Sequence, residues 1–230
     1  MARKSFRTTI LQITTKRSVV CQSIRSPYYK LQRSAKITMQ TKYHSQNIVS
    51  YNISNDDIFE RIVKRLYSEK LGSSVIIPHV CNNIDVFGGG FAAAVANHYP
   101  LVKENYHMLG KTFLRNNFGH VQFIDVPVKN KYGHKLVFAN MIAQNGLPDK
   151  NKRRCLNYAA LVKSMMSVSS FIKQYSDKNK NAEAIKFEIH CPKFGSGIAG
   201  GNWNFISDLI DDIWGHYDVF VYGYNRQNQS

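Results

Sequence analysis

The sequence is short of the features that most readily announce a function. Its four cysteines (Cys21, Cys81, Cys155 and Cys191) are scattered over 230 residues with no CxxC spacing. That argues against a zinc knuckle or a disulfide framework, and for plain thiols in a reducing compartment; no metal is expected. No apolar run approaches the roughly 18 residues of a membrane-spanning helix, so no membrane association is expected. Neither a GxGxxG followed by an acid nor a GxxxxGK[ST] occurs, which disfavours a Rossmann dehydrogenase and a P-loop NTPase. No internal repeat is visible.

Acidic residues are also scarce: 15 Asp and Glu stand against 31 Lys and Arg, a formal charge of +16. The excess is unevenly spread. Residues 1–42 hold ten basic and no acidic groups, leaving 21 and 15 for the rest, a net of +6. A mildly basic domain with no base-stacking motif suits a small anionic ligand, and nucleic acid is not an expected partner of the folded part. The basic segment lacks an apolar core, so it does not read as a secretory signal. It fits a mitochondrial-type presequence, a phosphate-attracting tail, translated sequence ahead of Met39, or a tail without a specific role. The chain is therefore divided into a disordered extension, 1–42, and a folded domain, 43–230. A monomer inside the cell is expected, in the cytoplasm, or in mitochondria if residues 1–38 act as a presequence.

What is present is ample core material, 43% hydrophobic and 12% aromatic. From residue 47 the periodicity alternates. "NIVSYNI" reads as a half-buried strand, and "DDIFERIVKRLYSEKLG" as a helix with Ser54 and Asn55 as capping types, acids in its first turn and Gly72 at its end. "SSVIIPHV" is a buried strand, and "FAAAVANHYPLVKENYHMLGKTFLRN" is helical with a break at Pro100. "HVQFIDVPV" and "HKLVFANMIAQ" form a hairpin, and "RRCLNYAALVKSMMSVSSFIKQY" a helix whose Met165–Met166 pair fills core. The strand "IKFEIHCPKF", the helix "NWNFISDLIDDIWG" and the strand "YDVFVYGYN" complete the series. The expectation is a three-layer α/β/α domain around a mixed, mostly parallel sheet of about six strands.

Two glycine-rich loops follow strands and precede helices: "VFGGGF" (86–91) and "GSGIAGG" (195–201). In a parallel sheet both lie on one rim, where free backbone N–H groups and helix N-termini make an anion site. The blocks "HVCNNIDVFGGGFAAAVANHYPLVKENY", "ANMIAQ", "LNYAAL" and "IHCPKFGSGIAGGNW" resemble the macrodomain family, in order and over residues 47–224. They are most similar to the branch with yeast-type ADP-ribose 1''-phosphate phosphatases and related phage proteins.

That resemblance implies a ligand, ADP-ribose or its 1''-phosphate, and no cofactor. By position it places Asp57 against the adenine, with Asp56 beside it, and Asn82 and Asn83 near the distal ribose. Val86, Gly88, Gly89, Gly90 and Phe91 would wrap that ribose and the neighbouring phosphate. Gly195, Ser196, Gly197, Ile198, Ala199 and Gly200 would cradle the diphosphate, while Tyr222 and Asn225 would cover the adenine. Trp203 is expected to pack its helix onto the sheet. Gln144 and Ala199 stand where a related branch carries a catalytic Lys and Asp, which argues against lysine-dependent de-ADP-ribosylation. For a phosphatase, His79 is the acid/base candidate, with Asn82, Asp85 and Asn140 orienting water or the 1''-phosphate. The alternatives are a non-catalytic reader of ADP-ribose and a hydrolase that removes ADP-ribose through a substrate-assisted water.

Overall fold

The computed structural model describes residues 49–53, 57–68, 73–151, 153–178 and 186–223. Ser54, Asn55, Asp56, Gly72 and Asn225, named above, lie outside these residues. Among them are six strands: β1 (Val49–Ile53), β2 (Ser74–Asn82), β3 (Val121–Val126), β4 (Leu136–Gln144), β5 (Phe187–Pro192) and β6 (Asp218–Tyr222). Six helices accompany them: α1 (Ile58–Tyr67), α2 (Phe91–His98), α3 (Pro100–Met108), α4 (Gly110–Asn116), α5 (Tyr158–Lys178) and α6 (Trp203–Trp214).

Local chemistry explains most boundaries. Asp57 caps α1, its carboxylate accepting from the Phe59 N–H at 2.9 Å, and Ile58, Phe59, Ile62 and Leu66 give α1 its buried stripe. Asn202 caps α6 in the same way, accepting from the N–H groups of Asn204 and Phe205. Pro100 opens α3, as expected. A second break was not foreseen: Gly110 sits at φ +74 and splits off α4, because a left-handed residue cannot continue the helix. The next predicted helix starts later than its first apolar residues suggest. Leu156 instead bridges to Gln144, and α5 begins at Tyr158.

The sheet order is β1-β6-β5-β2-β4-β3. All pairings are parallel except the β3–β4 hairpin. β2 and β4 are buried along almost their whole length, which is why they read as near-continuous apolar runs. One face of the sheet packs against α5 and α6 through Leu161, Met165, Val168, Ile206, Ile210 and Trp214. The other packs against α1 to α4 through Ile62, Leu66, Val95, Val102, Tyr106 and Leu114. The three-layer architecture expected from the sequence is therefore present. Among the described residues no helix is long and apolar enough to cross a membrane. Cys81, Cys155 and Cys191 are buried and form no disulfide among the described residues.

Candidate functional site

Because β1, β6, β5, β2 and β4 run parallel, their carboxyl ends share one rim. Both glycine loops leave from it, one after β2 and one after β5. They meet there. A Cβ added to Gly89 would stand 3.0 Å from the Ile198 side chain, and one on Gly90, at φ +55, would stand 3.4 Å from it. The bare backbone at 89–90 is thus what lets Ile198 of the second loop reach across to the first. Around Gly88 there is nothing within 4 Å, so this glycine borders open space.

Asn82, the last residue of β2, organises the first loop. Its Oδ1 accepts from the N–H groups of Ile84 (3.0 Å) and Val86 (3.3 Å), and its Nδ2 donates to the Val86 carbonyl at 2.5 Å. The Tyr106 hydroxyl, from α3, donates to both the carbonyl (2.8 Å) and Oδ1 (3.0 Å) of Asn82. Asn83 ties the same loop to the segment after β4, accepting from Gly146 N–H at 2.8 Å and donating to Asn145. In the second loop Gly201 N–H closes onto the Gly195 carbonyl and Gly200 N–H onto that of Gly197. The Ala199 carbonyl accepts from Cys155 and Leu156, and Ser196 Oγ donates to the Lys193 carbonyl. Among the described residues, the N–H groups of Gly197, Ile198 and Ala199 have no acceptor. Three such donors in a row are the kind of backbone group that an anion takes as partners.

This geometry has close relatives. No protein-family model matches the chain. Among solved structures, a Bacteroides thetaiotaomicron protein of unknown function shares 26% identity over 77% of this chain and all of its own, at a TM-score of 0.58. A macrodomain protein from Streptomyces coelicolor shares 25% identity over 77% of this chain and all of its own, at a TM-score of 0.50. The macrodomain of Mycobacterium tuberculosis DarG has the same fold at 14% identity, with a TM-score of 0.52 over 78% of this chain and 99% of its own. This chain has the macrodomain fold. By sequence it is 29% identical over 148 residues to a phage T4 protein, an uncharacterised 17.5 kDa product, covering 63% of this chain and 83% of that one. It is also 23% identical over 155 residues to the ADP-ribose 1''-phosphate phosphatase of Lodderomyces elongisporus, covering 64% and 86%.

Within this fold the residues singled out from sequence fall into three settings. Val86 and Ile198 are half-exposed, one on each loop, while Phe91 stacks on Phe59 beneath the first loop. Asp57 is exposed at the start of α1 with one oxygen engaged as the cap. Trp203 is partly buried against the α5–α6 core and receives Lys193 over its ring.

The second setting is buried. His79 is 1% exposed, its ring walled edge-on by Phe87, Phe91 and Phe138. It pairs in register with Asn140 of β4, whose side chain is fully buried and donates to Gln122 at 3.1 Å. Burial lowers the His79 pKa to about 4, an effect opposed by Asn140. His79 Nε2 and Asn140 Oδ1 make no hydrogen bond of ordinary geometry. Tyr222 is buried as well, its hydroxyl 2.7 Å from His190 Nδ1. Gln144 donates to the Gly146 carbonyl and closes the turn after β4.

The third setting is the rim beside α3. Asp85 sits 2.6 Å from His107 Nδ1. Sequence reading missed His107 and Tyr106. Both lie in the last turn of α3, more than twenty residues from their loop partners, and nothing in the local pattern links the two segments.

Proposed function

We propose that this macrodomain binds ADP-ribose in the cleft between its two glycine loops and hydrolyses ADP-ribose 1''-phosphate to ADP-ribose and phosphate. The observation that carries the reading is the approach of Ile198 to Gly89 and Gly90, beside three unpaired amide N–H groups. It brings the two loops together beside neutral donors, which supports a diphosphate site that needs no lysine. The likeness to a yeast ADP-ribose 1''-phosphate phosphatase supports the choice of substrate. In this reading Asp57 receives the adenine amino group on its second carboxylate oxygen. Asn82 has one Nδ2 hydrogen left after serving its own loop and offers it to the distal ribose. Catalysis then consists of holding the phosphomonoester in line with a water and stabilising charge on its oxygens.

One observation favours a second reading, a non-catalytic reader of ADP-ribose. His79, the acid/base expected from sequence, is shut off from solvent and held neutral by its burial. The two readings separate in one sample. Calorimetry with ADP-ribose, followed by phosphate release from ADP-ribose 1''-phosphate, is expected to show both binding and turnover. Binding without phosphate release leaves the reader, and no binding sinks both.

A further inference from the structure

The rim holds a second histidine, and its surroundings suit acid/base work better than those of His79. Asp85 is the one non-glycine residue among those described with a positive φ, +63. A left-handed aspartate is a costly conformation, kept where the surrounding structure requires it. Here it swings the carboxylate off the course of the first loop and onto α3. The carboxylate takes His107 Nδ1 at 2.6 Å, so Nε2 is the ring nitrogen not used in this pair. The His107 side chain is 38% exposed and that of Asp85 20%. The last turn of α3 thus grips the first loop twice: Tyr106 holds Asn82, and His107 holds Asp85 three residues later. A partly exposed imidazole aimed by a carboxylate of the first loop through one nitrogen is the arrangement of a general acid/base.

We propose that His107, oriented by Asp85, is the general acid of this site. The inference rests on the phosphatase reading above. As water adds to phosphorus, the P–O1'' bond breaks and protonated His107 gives its Nε2 proton to the departing O1'' of the distal ribose. The attacking water arrives with two protons. One stays on the phosphate, and the other returns to His107 Nε2, so ADP-ribose and hydrogen phosphate leave with the histidine restored. Asp85 keeps Nδ1–H as its donor throughout, and never takes the proton.

Three measurements on the full chain decide it. His107→Ala is expected to lower kcat for phosphate release by about 100-fold or more. The calorimetric Kd for ADP-ribose should stay within about threefold, since a leaving-group acid adds little to ground-state binding. Added imidazole should restore part of the lost rate, which no merely structural defect would allow. Asp85→Asn should lower kcat about tenfold without changing that Kd, by letting the ring turn. A His107→Ala protein that releases phosphate within twofold of wild type overturns the proposal and leaves the phosphatase reading standing. So does a lost rate that imidazole fails to restore in either His107→Ala or His107→Gly. A wild type that binds ADP-ribose but releases no phosphate overturns the phosphatase reading, and the acid with it.

Discussion

The two faces of the central sheet are built on opposite principles. Toward α5 and α6 the strands present Ile76, Ala139, Met141, Ile189, Cys191, Val219 and Val221, an uninterrupted apolar surface. Toward α1 to α4 the same strands present His79, Asn140, Glu188 and His190, all buried, among the hydrophobic residues. On β5 the alternation is residue by residue: Phe187, Ile189 and Cys191 face one way, Glu188 and His190 the other. The polar side chains form two clusters. One is His79 with Asn140 and Gln122. The other runs from Arg65 of α1 through Glu188 and His190 to the Tyr222 hydroxyl, with Ser73 also donating to Glu188. The dry face supplies bulk stability. The wired face fixes the orientation of α1, which Asp57 caps, and of β2, which ends in Asn82.

The largest break in that comparison should come from Glu188→Ala. Burial alone would raise this carboxyl, but hydrogen bonds from His190 and Arg65 dominate and hold it at about 2. Removing it strands a guanidinium and an imidazole that no longer have their acceptor. Breaking one side of a buried pair costs about 3–5 kcal/mol. Urea unfolding should show that loss, and the calorimetric affinity for ADP-ribose should weaken as α1 loosens. Unchanged stability would mean that the network contributes nothing to the wired face.

How much of this was legible in the sequence depends on the distance over which each feature is made. β2 could be read because a strand covered on both faces has to be apolar at both parities. The hairpin could be read because Gly133 and its polar neighbours separate two strand-like runs. The glycine loops announced themselves as places without side chains. The wired face did not, because the partners of "FEIHC" are far away in sequence: Arg65 lies 123 residues from Glu188, and Tyr222 lies 32 from His190. His79 illustrates the same limit. Its place three residues before Asn82 suggested catalysis, whereas its exposure is decided by three phenylalanines, from β4, the first loop and α2. His107 went unnoticed because only the fold brings it to Asp85.

A smaller effect separates the faces by pH. The folded chain binds a proton at His79 only near pH 4, while an unfolded chain binds it near the ordinary value of 6.5. Over that window the unfolded state takes up more protons, so stability is lost as pH falls from 6.5 toward 4. The loss assignable to His79 is on the order of 3 kcal/mol. His190, also lowered by burial, acts in the same direction. The decisive quantity is therefore the difference between wild type and His79→Gln. Denaturant melts from pH 7 to pH 4 should show a shallower loss in the variant. Parallel curves would refute the desolvated histidine.

The smallest effect belongs to the dry face. Ile189 is fully buried on β5, between Glu188 and His190 in sequence yet on the other side of the sheet. Ile189→Val deletes one methylene from an apolar layer and leaves every polar partner in place. Its cost should be about 0.5–1.5 kcal/mol. No titratable group changes its surroundings, so that cost should be the same at pH 7 and pH 5, and ADP-ribose affinity should not move. A pH-dependent penalty, or weaker ligand binding, would show that the sheet transmits packing from one face to the other. The division between a face that stabilises and a face that positions would then be wrong at the strand where the two alternate most closely.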